Sequence, residues 1–433
     1  MQTGSQVGSL WEAIAPAGKQ FAPLRASIKA DVVVVGAGFL GLSTALHAAE
    51  GGRDVVLIET HQPGFGASGR NTGFVVPSLK ASLGPAEVTR ALGEKHADRL
   101  LRLISGSGDT VFNLIRRLNI DCSALQNGWL QPGHSREAED ALQKRLPRLL
   151  AAGIKADWLD RKAMLAQTGL PFLHGGIRVL TGGSVNPLAY TRGLARAAEA
   201  AGVRVFGDSP VISVEKTGNG WRVRTAHGEV VAERVVMTTN ALIGNLLPAL
   251  RASIIPARVF QIATQVMPED VRQRLLPAMA PVADTRRHTF ALRWSPDGRL
   301  VTGGMVAPLP GRLALAEKKF KKRLERLVPG LPEVRAEYSW TGVIAGTLDF
   351  LPRLMRLEPG LEAVIGCNGR GIALTTSLGR EVGMWLAGQV GDDQLTLPVT
   401  APRPVPFSSI SGIMPDLILP VWEARDAYEA RFR

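Results

Sequence analysis

The chain is poor in the residues that crosslink small secreted domains or bind structural metals. Only two of its 433 residues are cysteines, Cys122 and Cys367. Two cysteines do not provide a disulfide framework, so we expect a reducing compartment. The seven histidines are scattered and lack the spacing to cysteines or acids that is typical of metal sites, so we predict no bound metal.

Long apolar runs are also missing. No stretch approaches the roughly 18 uninterrupted apolar residues of a membrane-spanning helix, and no charged N-terminal segment precedes an apolar one. The sequence therefore predicts a soluble cytoplasmic protein, with peripheral membrane contact left open. Apolar residues nevertheless make up 45% of the chain, enough for a sizeable core in two or three domains or one interleaved pair.

Positive charge is in excess, with a formal net charge of +13. Such an excess often indicates nucleic acid, acidic lipid or an anionic substrate as a partner. The densest basic run, residues 318–323, is accompanied by Phe320, Leu324 and Leu327 at helical spacing. We interpret this run as the solvated face of an amphipathic helix, and we predict no nucleic-acid partner.

The sequence does contain a dinucleotide-binding fingerprint. An apolar strand predicted over residues 31–35 leads into Gly36-Ala37-Gly38-Phe39-Leu40-Gly41, after which a helical pattern begins. In this motif the first glycine permits a tight turn, the second lets a pyrophosphate approach the backbone, and the third lets the helix pack closely on the strand. The N-terminus of the helix offers N–H groups and partial positive charge to the phosphates.

A second predicted strand, residues 55–58, ends in Glu59. This acid lies 18 residues past Gly41, where a carboxylate accepts hydrogen bonds from an adenosine ribose. Strand, glycines, helix and acid thus occur in the order of a nucleotide-binding βαβ unit.

The rest of the chain is predicted to alternate helices with short strands. Proline and glycine suggest an irregular leader over residues 1–30 and a proline-rich tail over residues 398–406. The other predicted elements are helices over 86–119, 137–152, 187–201 and 372–387, an antiparallel meander over 203–231, a strand over 234–240 and strand-rich sequence over 255–345.

Several separated segments carry a family resemblance. They are residues 31–59, 64–74, 238–241 and 366–374, with further similarity at residues 10–11 and 340–344. In this order and spacing the chain resembles the D-amino-acid-oxidase-like FAD-dependent oxidoreductases, and within them the gamma-glutamylputrescine oxidase-like branch.

The resemblance implies an α/β fold with two interleaved domains. One is a Rossmann-like, glutathione-reductase-like FAD-binding domain, expected over residues 1–100, 185–250 and 345–433. The other is an α+β substrate domain on a mostly antiparallel sheet, expected over residues 101–184 and 251–344.

The implied cofactor is FAD, bound non-covalently. Ser68, Arg70 and Asn71 in the second glycine-rich turn would add donors for the pyrophosphate or the flavin side chain. The resemblance also places the backbone of Val211 beside the adenine. The cofactor-binding residues are predicted to be Gly36, Gly38, Phe39, Leu40, Gly41, Glu59, Ala67, Ser68, Gly69, Arg70, Asn71, Thr72, Gly73, Val211, Thr239, Asn240, Gly366, Asn368, Gly369, Arg370, Gly371 and Ile372.

A helix predicted to start at Gly369-Arg370-Gly371 has a clear chemical logic. Reduction of a flavin places negative charge over N1 and the C2 carbonyl, and a helix N-terminus with an arginine nearby stabilises such charge. By resemblance, this is where the family places the pyrimidine edge of the flavin. We interpret the neighbouring Cys367 as a packing residue and not as a covalent attachment point.

The resemblance implies oxidation of a C–N bond in an amine or amino acid. A hydride would pass from the carbon to flavin N5, the imine would hydrolyse, and O2 would reoxidise the flavin and give hydrogen peroxide. Such an enzyme mainly binds, orients and excludes water, so we expect no dedicated nucleophile. Two alternatives stay open: a quinone-linked flavin amine or amino-acid dehydrogenase, and a non-catalytic flavin-binding assembly protein. The sequence does not name the amine, the electron acceptor or the oligomeric state.

The substrate pocket is expected between the FAD-binding domain and the strand-rich segments. Arg293 is a candidate ligand for a carboxylate group. The full set of residues predicted to line this pocket is Trp340, Tyr338, Arg293, Phe260 and His288.

Overall fold

The computed structural model describes residues 8–80, 83–306, 311–328, 330–406 and 414–429. The predicted irregular leader falls partly outside this part of the chain, and its described part contains a short helix, Leu10–Ile14. The helix forms because Ser9 and Glu12 make a reciprocal capping box, in which each side chain accepts the other residue's backbone N–H. The first strand also begins earlier than predicted, at Ser27.

The described residues form twelve α-helices and one short 3-10 helix, Asp392–Gln394. The helices predicted over residues 86–119, 137–152, 187–201 and 372–387 are confirmed to within two residues at each end, although the first is kinked at Gly93, whose φ of +76° is not helical. The α-helices are α1 Leu10–Ile14, α2 Phe39–Glu50, α3 Ala67–Arg70, α4 Pro85–Arg117, α5 Arg136–Ala151, α6 Arg161–Thr168, α7 Pro187–Ala200, α8 Pro248–Ala252, α9 Glu269–Arg274, α10 Arg312–Leu327, α11 Gly371–Leu386 and α12 Met414–Glu429.

Nineteen strands occur in the same ranges. They are β1 Ser27–Val35, β2 Val55–Ile58, β3 Phe74–Val75, β4 Trp129–Pro132, β5 Ala156–Leu159, β6 Gly176–Val179, β7 Gly183–Ser184, β8 Arg204–Phe206, β9 Val211–Thr217, β10 Gly220–Thr225, β11 Glu229–Met237, β12 Ile255–Val266, β13 Val282–Ala283, β14 Ala291–Trp294, β15 Arg299–Met305, β16 Ala336–Gly346, β17 Arg353–Glu358, β18 Leu361–Ile365 and β19 Val399–Thr400.

A nine-stranded sheet contains the predicted nucleotide-binding unit. Its order is β19-β17-β18-β11-β1-β2-β8, with β9 and β10 attached to β11 as an antiparallel meander. Strand β8, predicted as part of this meander, instead pairs in parallel with β2. Strand β1 lies between two parallel partners, and Val34 pairs with Val236 on one side and Leu57 on the other. Alternate β1 residues belong to different core clusters, so both faces of the strand are buried. Burial on both faces explains why this strand is continuously apolar.

Helices α2 and α11 pack unusually close together beneath this sheet. A Cβ atom on Gly379 would lie 2.6 Å from the carbonyl oxygen of Leu40, and one on Gly383 would lie 2.6 Å from that of Thr44. Because the two contacts follow the same order along both helices, the helices run parallel. Their N-termini therefore point towards the same edge of the sheet.

The second large sheet has eight strands in the order β16-β12-β15-β14-β13-β4-β6-β5. Every neighbouring pair is antiparallel except β13 with β4. Helix α10 covers its core with the buried Phe320, Leu324 and Leu327, as the amphipathic pattern predicts. Of the basic run, Lys318, Lys319 and Lys322 are exposed, whereas Lys321 is half-buried and Arg323 packs over the Phe290 ring.

The predicted α/β class is confirmed, with one largely parallel and one largely antiparallel sheet. The exact domain boundaries stay a prediction. The tail over residues 398–406 adds strand β19 to the edge of the first sheet, beside β17. None of the helices in the described ranges is both long and apolar enough to cross a bilayer.

Candidate active site

A cavity of about 610 Å³ opens where three neighbouring parallel strands end. It is lined by Gly38 after β1, Asn240 after β11 and Gly366 after β18. Ligands of open α/β sheets bind outside the carboxyl ends of the strands in this way. The opposite wall comes from the eight-stranded sheet and includes Gln131 and Gln261. We call the wall formed after β1, β11 and β18 the turn end of the cavity, and the wall from the eight-stranded sheet its sheet end.

The first glycine-rich turn adopts the conformation that its spacing predicts. Gly36 has a φ of +109°, which favours glycine. A Cβ on Gly41 would lie 2.0 Å from the Gly36 carbonyl oxygen, so only glycine fits there. The Glu59 carboxylate accepts the Ala37 N–H at 2.7 Å and the His61 N–H at 3.1 Å, so it also holds the turn in place.

Two helix N-termini meet the cavity. Helix α2 starts after Gly38 and helix α11 after Arg370, and in neither helix does the N-cap residue make a side-chain hydrogen bond. Since Gly379 lies opposite Leu40, α11 starts about seven residues before the level of the α2 N-terminus, an offset of roughly 10 Å. The cavity therefore meets two sets of N–H groups with partial positive charge at different depths.

The second glycine-rich turn lies against the first. The hydroxyl of Ser68 accepts the Phe39 N–H at 3.1 Å, which ties α3 to the start of α2. The Asn71 amide donates to the carbonyls of Ala67 and Ser68 and accepts the Gly73 N–H. Asn71 therefore shapes the turn with its side chain. Both predicted turns line one cavity.

Comparison with known proteins identifies this arrangement. Residues 31–385 match the model of a family described as FAD dependent oxidoreductase (DAO). The chain belongs to this family. Its members use FAD, so the predicted cofactor and enzyme class are confirmed at this level.

The relatives span almost the whole chain. The chain is 31% identical over 369 residues to gamma-glutamylputrescine oxidoreductase of Escherichia coli, with 85% of this chain and 86% of the relative covered. It is 30% identical over 384 residues to the probable oxidoreductase OrdL of Haemophilus influenzae, with 87% of each covered. Among solved structures, glycine oxidase from Geobacillus kaustophilus superposes with a TM-score of 0.72 at 20% identity, covering 87% of this chain and 99% of that one. The last likeness confirms the predicted fold.

The residues present fit FAD. The glycines of both turns leave space that a Cβ would fill, and the N-termini of α2 and α11 are suited to anionic groups. A ligand with several phosphate and ring oxygens would pair with the N–H groups at these two helix starts.

The predicted FAD-binding residues fall into two groups. Those that line the cavity are Gly38, Phe39, Leu40, Ala67, Ser68, Asn71, Thr72, Asn240, Gly366, Asn368, Gly369, Arg370, Gly371 and Ile372. Those outside its lining are Gly36, Gly41, Glu59, Gly69, Arg70, Gly73, Val211 and Thr239.

Arg70 is among the residues outside the lining, and its side chain has other partners. Its guanidinium turns away from the cavity, donates to the Phe65 carbonyl at 3.0 Å and lies 3.7 Å from the Glu12 carboxylate. Because Glu12 belongs to α1, the leader helix and the second turn are joined through this contact. As a phosphate donor, Arg70 is not favoured by this geometry.

Three side chains hold the backbone carbonyls of residues 70–73. The indole N–H of Trp340 donates to the Arg70 carbonyl at 2.8 Å, and that of Trp11 donates to the Asn71 carbonyl at 2.7 Å. The Arg293 guanidinium donates to the carbonyls of Thr72 and Gly73 at 3.2 and 3.1 Å. We call this set the carbonyl clamp. It fixes the turn from the side facing away from the cavity.

The clamp revises the expectation for two pocket candidates. Arg293 and Trp340 are buried behind the cavity wall, and burial lowers the pKa of Arg293 to about 9. The Arg293 guanidinium also donates to the Val185 carbonyl at 2.8 Å, so its donors serve the backbone and not a substrate carboxylate. Sequence reasoning missed this role because the carbonyls are distant along the chain.

Of the other three pocket candidates, one lines the cavity and two do not. His288 lines the cavity. Phe260 lies just behind the lining residue Gly304, since a Cβ there would be 3.1 Å from its ring. Tyr338 is outside the lining and packs beneath the Arg299 guanidinium, 5.2 Å from its ring centre.

Cys367 lines the cavity, and burial raises the pKa of its thiol. The Asn240 amide donates to its sulfur at 3.8 Å. A thiol that is held protonated is a poor nucleophile, which agrees with the interpretation of Cys367 as a packing residue.

The C-terminal helix α12 closes one side of the cavity with Trp422. Asp426 anchors it, because its carboxylate accepts the backbone N–H groups of Arg287 and His288 at 3.1 and 2.9 Å. His134, Asp426 and Glu429 also form a cluster of potential metal ligands. The Arg287 guanidinium already pairs with both carboxylates of that cluster. The absence of a bound metal stays a prediction.

Proposed function

We propose that this protein oxidises the C–N bond of a small amine or amino acid with non-covalently bound FAD. The observation that carries the proposal is the single cavity shared by the two glycine-rich turns and the start of α11. The relatives named for gamma-glutamylputrescine and glycine support the substrate class.

The starts of α2 and α11 lie at different depths of the cavity, and FAD would extend from one to the other. The α2 N-terminus and Ser68 would face the pyrophosphate, while Glu59 would accept hydrogen bonds from the adenosine ribose. The α11 N-terminus and Arg370 would face the pyrimidine edge of the flavin, where they would stabilise negative charge. The sheet end would then bind and orient the substrate and exclude water.

When bound, FAD would supply the two-electron acceptor: the carbon next to nitrogen would lose a hydride and the nitrogen a proton. Water would then hydrolyse the imine to a carbonyl compound and an amine, and O2 would take up the two electrons with two protons as hydrogen peroxide. No residue of the described cavity is required as a nucleophile. Soluble cytoplasmic location remains part of this proposal.

The test starts from the absorbance spectrum of the purified protein before and after acid treatment. A yellow protein that releases free FAD is expected. The holoenzyme is then mixed without oxygen with a panel of amines and amino acids. Bleaching of the flavin by at least one member, followed by peroxide formation when oxygen is admitted, is the expected result.

Other outcomes separate the alternatives. Bleaching without peroxide but with electron transfer to a quinone would favour a dehydrogenase. A flavin that no amine or amino acid reduces would favour an assembly protein. A colourless protein that binds NAD would reject the proposal.

A further inference from the structure

A second cavity, of about 830 Å³, lies beside the active-site cavity. We call it the outer cavity, and it is lined mainly by the start of α4, by α5 and by the last turn of α12. Thr285 and Arg287 line both cavities. Both residues belong to the segment 284–290, which joins β13 to β14 and contains neither helix nor strand. This short segment is therefore the partition between the two cavities.

Helix α12 presents one face to the partition. Trp422, Asp426 and Glu429 are spaced by four and three residues, so they share a face of the helix. Trp422 lines the active-site cavity and Glu429 lines the outer cavity. Between them, Asp426 accepts the backbone N–H groups of Arg287 and His288. The helix therefore lies along the partition and borders both cavities.

Polar side chains join α12 to the partition. The Arg287 guanidinium lies 3.3 Å from the Asp426 carboxylate and 2.8 Å from that of Glu429. The Glu429 carboxylate also lies 3.3 Å from Nε2 of His134, whose Nδ1 is 2.8 Å from the Thr285 hydroxyl. We call Arg287, Asp426, Glu429 and His134 the latch. One group of side chains thus holds both the helix and the partition in place.

Apolar packing contributes little to the attachment of α12. Among the α12 side chains that the structure describes, Leu419 is the one buried apolar residue, and none belongs to a hydrophobic core cluster. Helix α11 differs, because eleven of its 16 residues are buried. Partly exposed ion pairs stabilise a structure only weakly, since water screens them. Segments with few buried apolar contacts open locally at low cost, and lids are drawn from such segments.

The outer cavity continues the substrate end of the active-site cavity. FAD bound along the turn end would occupy that side. The sheet end, where the substrate would bind, extends to His288 and, on α12, to Trp422. Beyond Thr285 and Arg287 the outer cavity reaches exposed residues such as Lys144 on α5. Opening of the latch would therefore join the two cavities and give the sheet end a route to solvent.

We propose that α12 is a lid over the sheet end, and that opening of the latch connects the active-site cavity with the outer cavity. The structure shows the closed form, in which the latch is made. The open form admits the substrate and releases the product. Passage of substrate rests on the proposed function, whereas the movement of α12 does not. Because the latch is polar, the helix opens without exposing a large apolar surface.

The first experiment measures the width of the outer cavity in the full-length holoenzyme. Spin labels are attached to Lys144→Cys on α5 and Arg425→Cys on the exposed side of α12. Pulsed electron–electron double resonance then gives the distribution of distances between the labels. The parent should show a main short distance and a minor longer one. Glu429→Gln, which removes the carboxylate beside Arg287 and His134, should raise the longer population roughly fivefold.

Glu199→Gln is the matched control. It removes an ion pair with Lys19 at 2.7 Å that lies outside the lining of both cavities, so its label distances should equal those of the parent. Arg287→Lys keeps a positive charge in the latch and should lie between the parent and Glu429→Gln. FAD content and the urea midpoint establish that each variant is folded. The chain without added cysteines measures any labelling of the two native ones.

The second experiment measures passage. A bis-maleimide shorter than the open label distance tethers Lys144→Cys to Arg425→Cys, and a longer one is the control. Quenching of flavin fluorescence by iodide reports access of a small solute without turnover. Flavin reduction without oxygen, by an amine of the panel, reports access of the substrate. The short tether should lower both rates several-fold, whereas the long tether should leave both at the parent value.

Two results would overturn the lid. One is a distance distribution of Glu429→Gln that matches that of Glu199→Gln. The other is a short tether that leaves both iodide quenching and flavin reduction unchanged. Failure of the proposed function gives a different pattern, since a flavin that no amine reduces would reject that function while label distances and iodide quenching still report on α12.

Discussion

The turn end and the sheet end of the cavity are built in different ways. The turn end is made largely by backbone, with glycines that admit no Cβ and helix N-termini whose N-cap residues make no side-chain hydrogen bond. The sheet end is made by side chains such as Gln131 and Gln261, which come from different strands. A ligand of fixed chemistry can be held by a fixed backbone shape, whereas a variable substrate is selected by side chains on a rigid sheet.

The carbonyl clamp connects the turn end of the cavity with the eight-stranded sheet. Trp340 and Arg293 belong to the eight-stranded sheet, yet their donors fix the backbone of the second turn. The sheet that forms the substrate wall thereby sets the shape of the cofactor wall. Four substitutions test this comparison, in order of decreasing expected effect.

Gly41→Ala should abolish FAD retention. The new Cβ would lie 2.0 Å from the Gly36 carbonyl oxygen and 2.5 Å from the Thr238 hydroxyl, so the first turn must open. We expect stability to fall by about 1–3 kcal/mol, measured by urea unfolding, and the purified protein to be colourless. Gly106→Ala is the matched control, because a Cβ there meets nothing within 4 Å, and it should be neutral or stabilising. A yellow Gly41→Ala protein of parent stability would contradict the backbone-built turn end.

Arg293→Met should destabilise the protein by about 2–3 kcal/mol, because charge-assisted hydrogen bonds to buried carbonyls are lost. FAD should also dissociate faster, since the turn at residues 72–73 loses its support. Urea unfolding and the rate of flavin fluorescence increase after dilution measure the two effects. Arg258→Met, at an exposed position on β12, is the control. Parent-like stability with lost carboxylate binding would show instead that Arg293 contacts the substrate.

Glu59→Gln should weaken FAD binding about tenfold, equivalent to about 1.4 kcal/mol. The amide keeps an oxygen for the Ala37 N–H but loses the charge that strengthens this bond and the expected bonds to ribose hydroxyls. Reconstitution of the apoprotein with FAD, followed by flavin fluorescence, gives the Kd. The exposed Glu94→Gln removes an equal charge and should have no effect. Equal affinities for the two variants would exclude Glu59 as a ribose ligand.

Asp426→Asn should have the smallest effect, about 1 kcal/mol on the docking of α12. The carboxylate that accepts the N–H groups of Arg287 and His288 becomes a neutral amide, so the segment 284–290 should separate from α12 more often. Hydrogen exchange of residues 284–290 should rise several-fold while urea stability barely changes. Arg425→Gln, exposed on the same helix, serves as the control. Unchanged exchange in Asp426→Asn would show that α12 is not anchored there.

The turn end was largely predictable from sequence because its determinants are local. The order strand, Gly36, Gly38, Gly41, strand, Glu59 specifies one βαβ unit, and the structure forms it with the expected turn. The sheet end was not predictable in the same way. Of the five pocket candidates, His288 lines the cavity, whereas Arg293 and Trp340 contact carbonyls far away in sequence.

Lys80 shows why such residues are missed. It lines the cavity and follows the buried run from Val75 to Leu79. A lysine next to a buried run indicates a cation near the core, but by itself it does not indicate a binding site. Only the packing of Phe350 and Arg370 around it reveals the lack of an anionic partner.

The sequence by itself determined the nucleotide-binding unit, the helices with strong periodicity and the family, because these depend on spacing within short segments and on backbone freedom at glycine. The tertiary structure alone decided which polar groups face the cavity, which ones clamp a turn from behind and which cations lack a partner. Those properties depend on contacts between residues that are up to hundreds of positions apart, such as Arg70 with Trp340, and on how burial removes water from each charge.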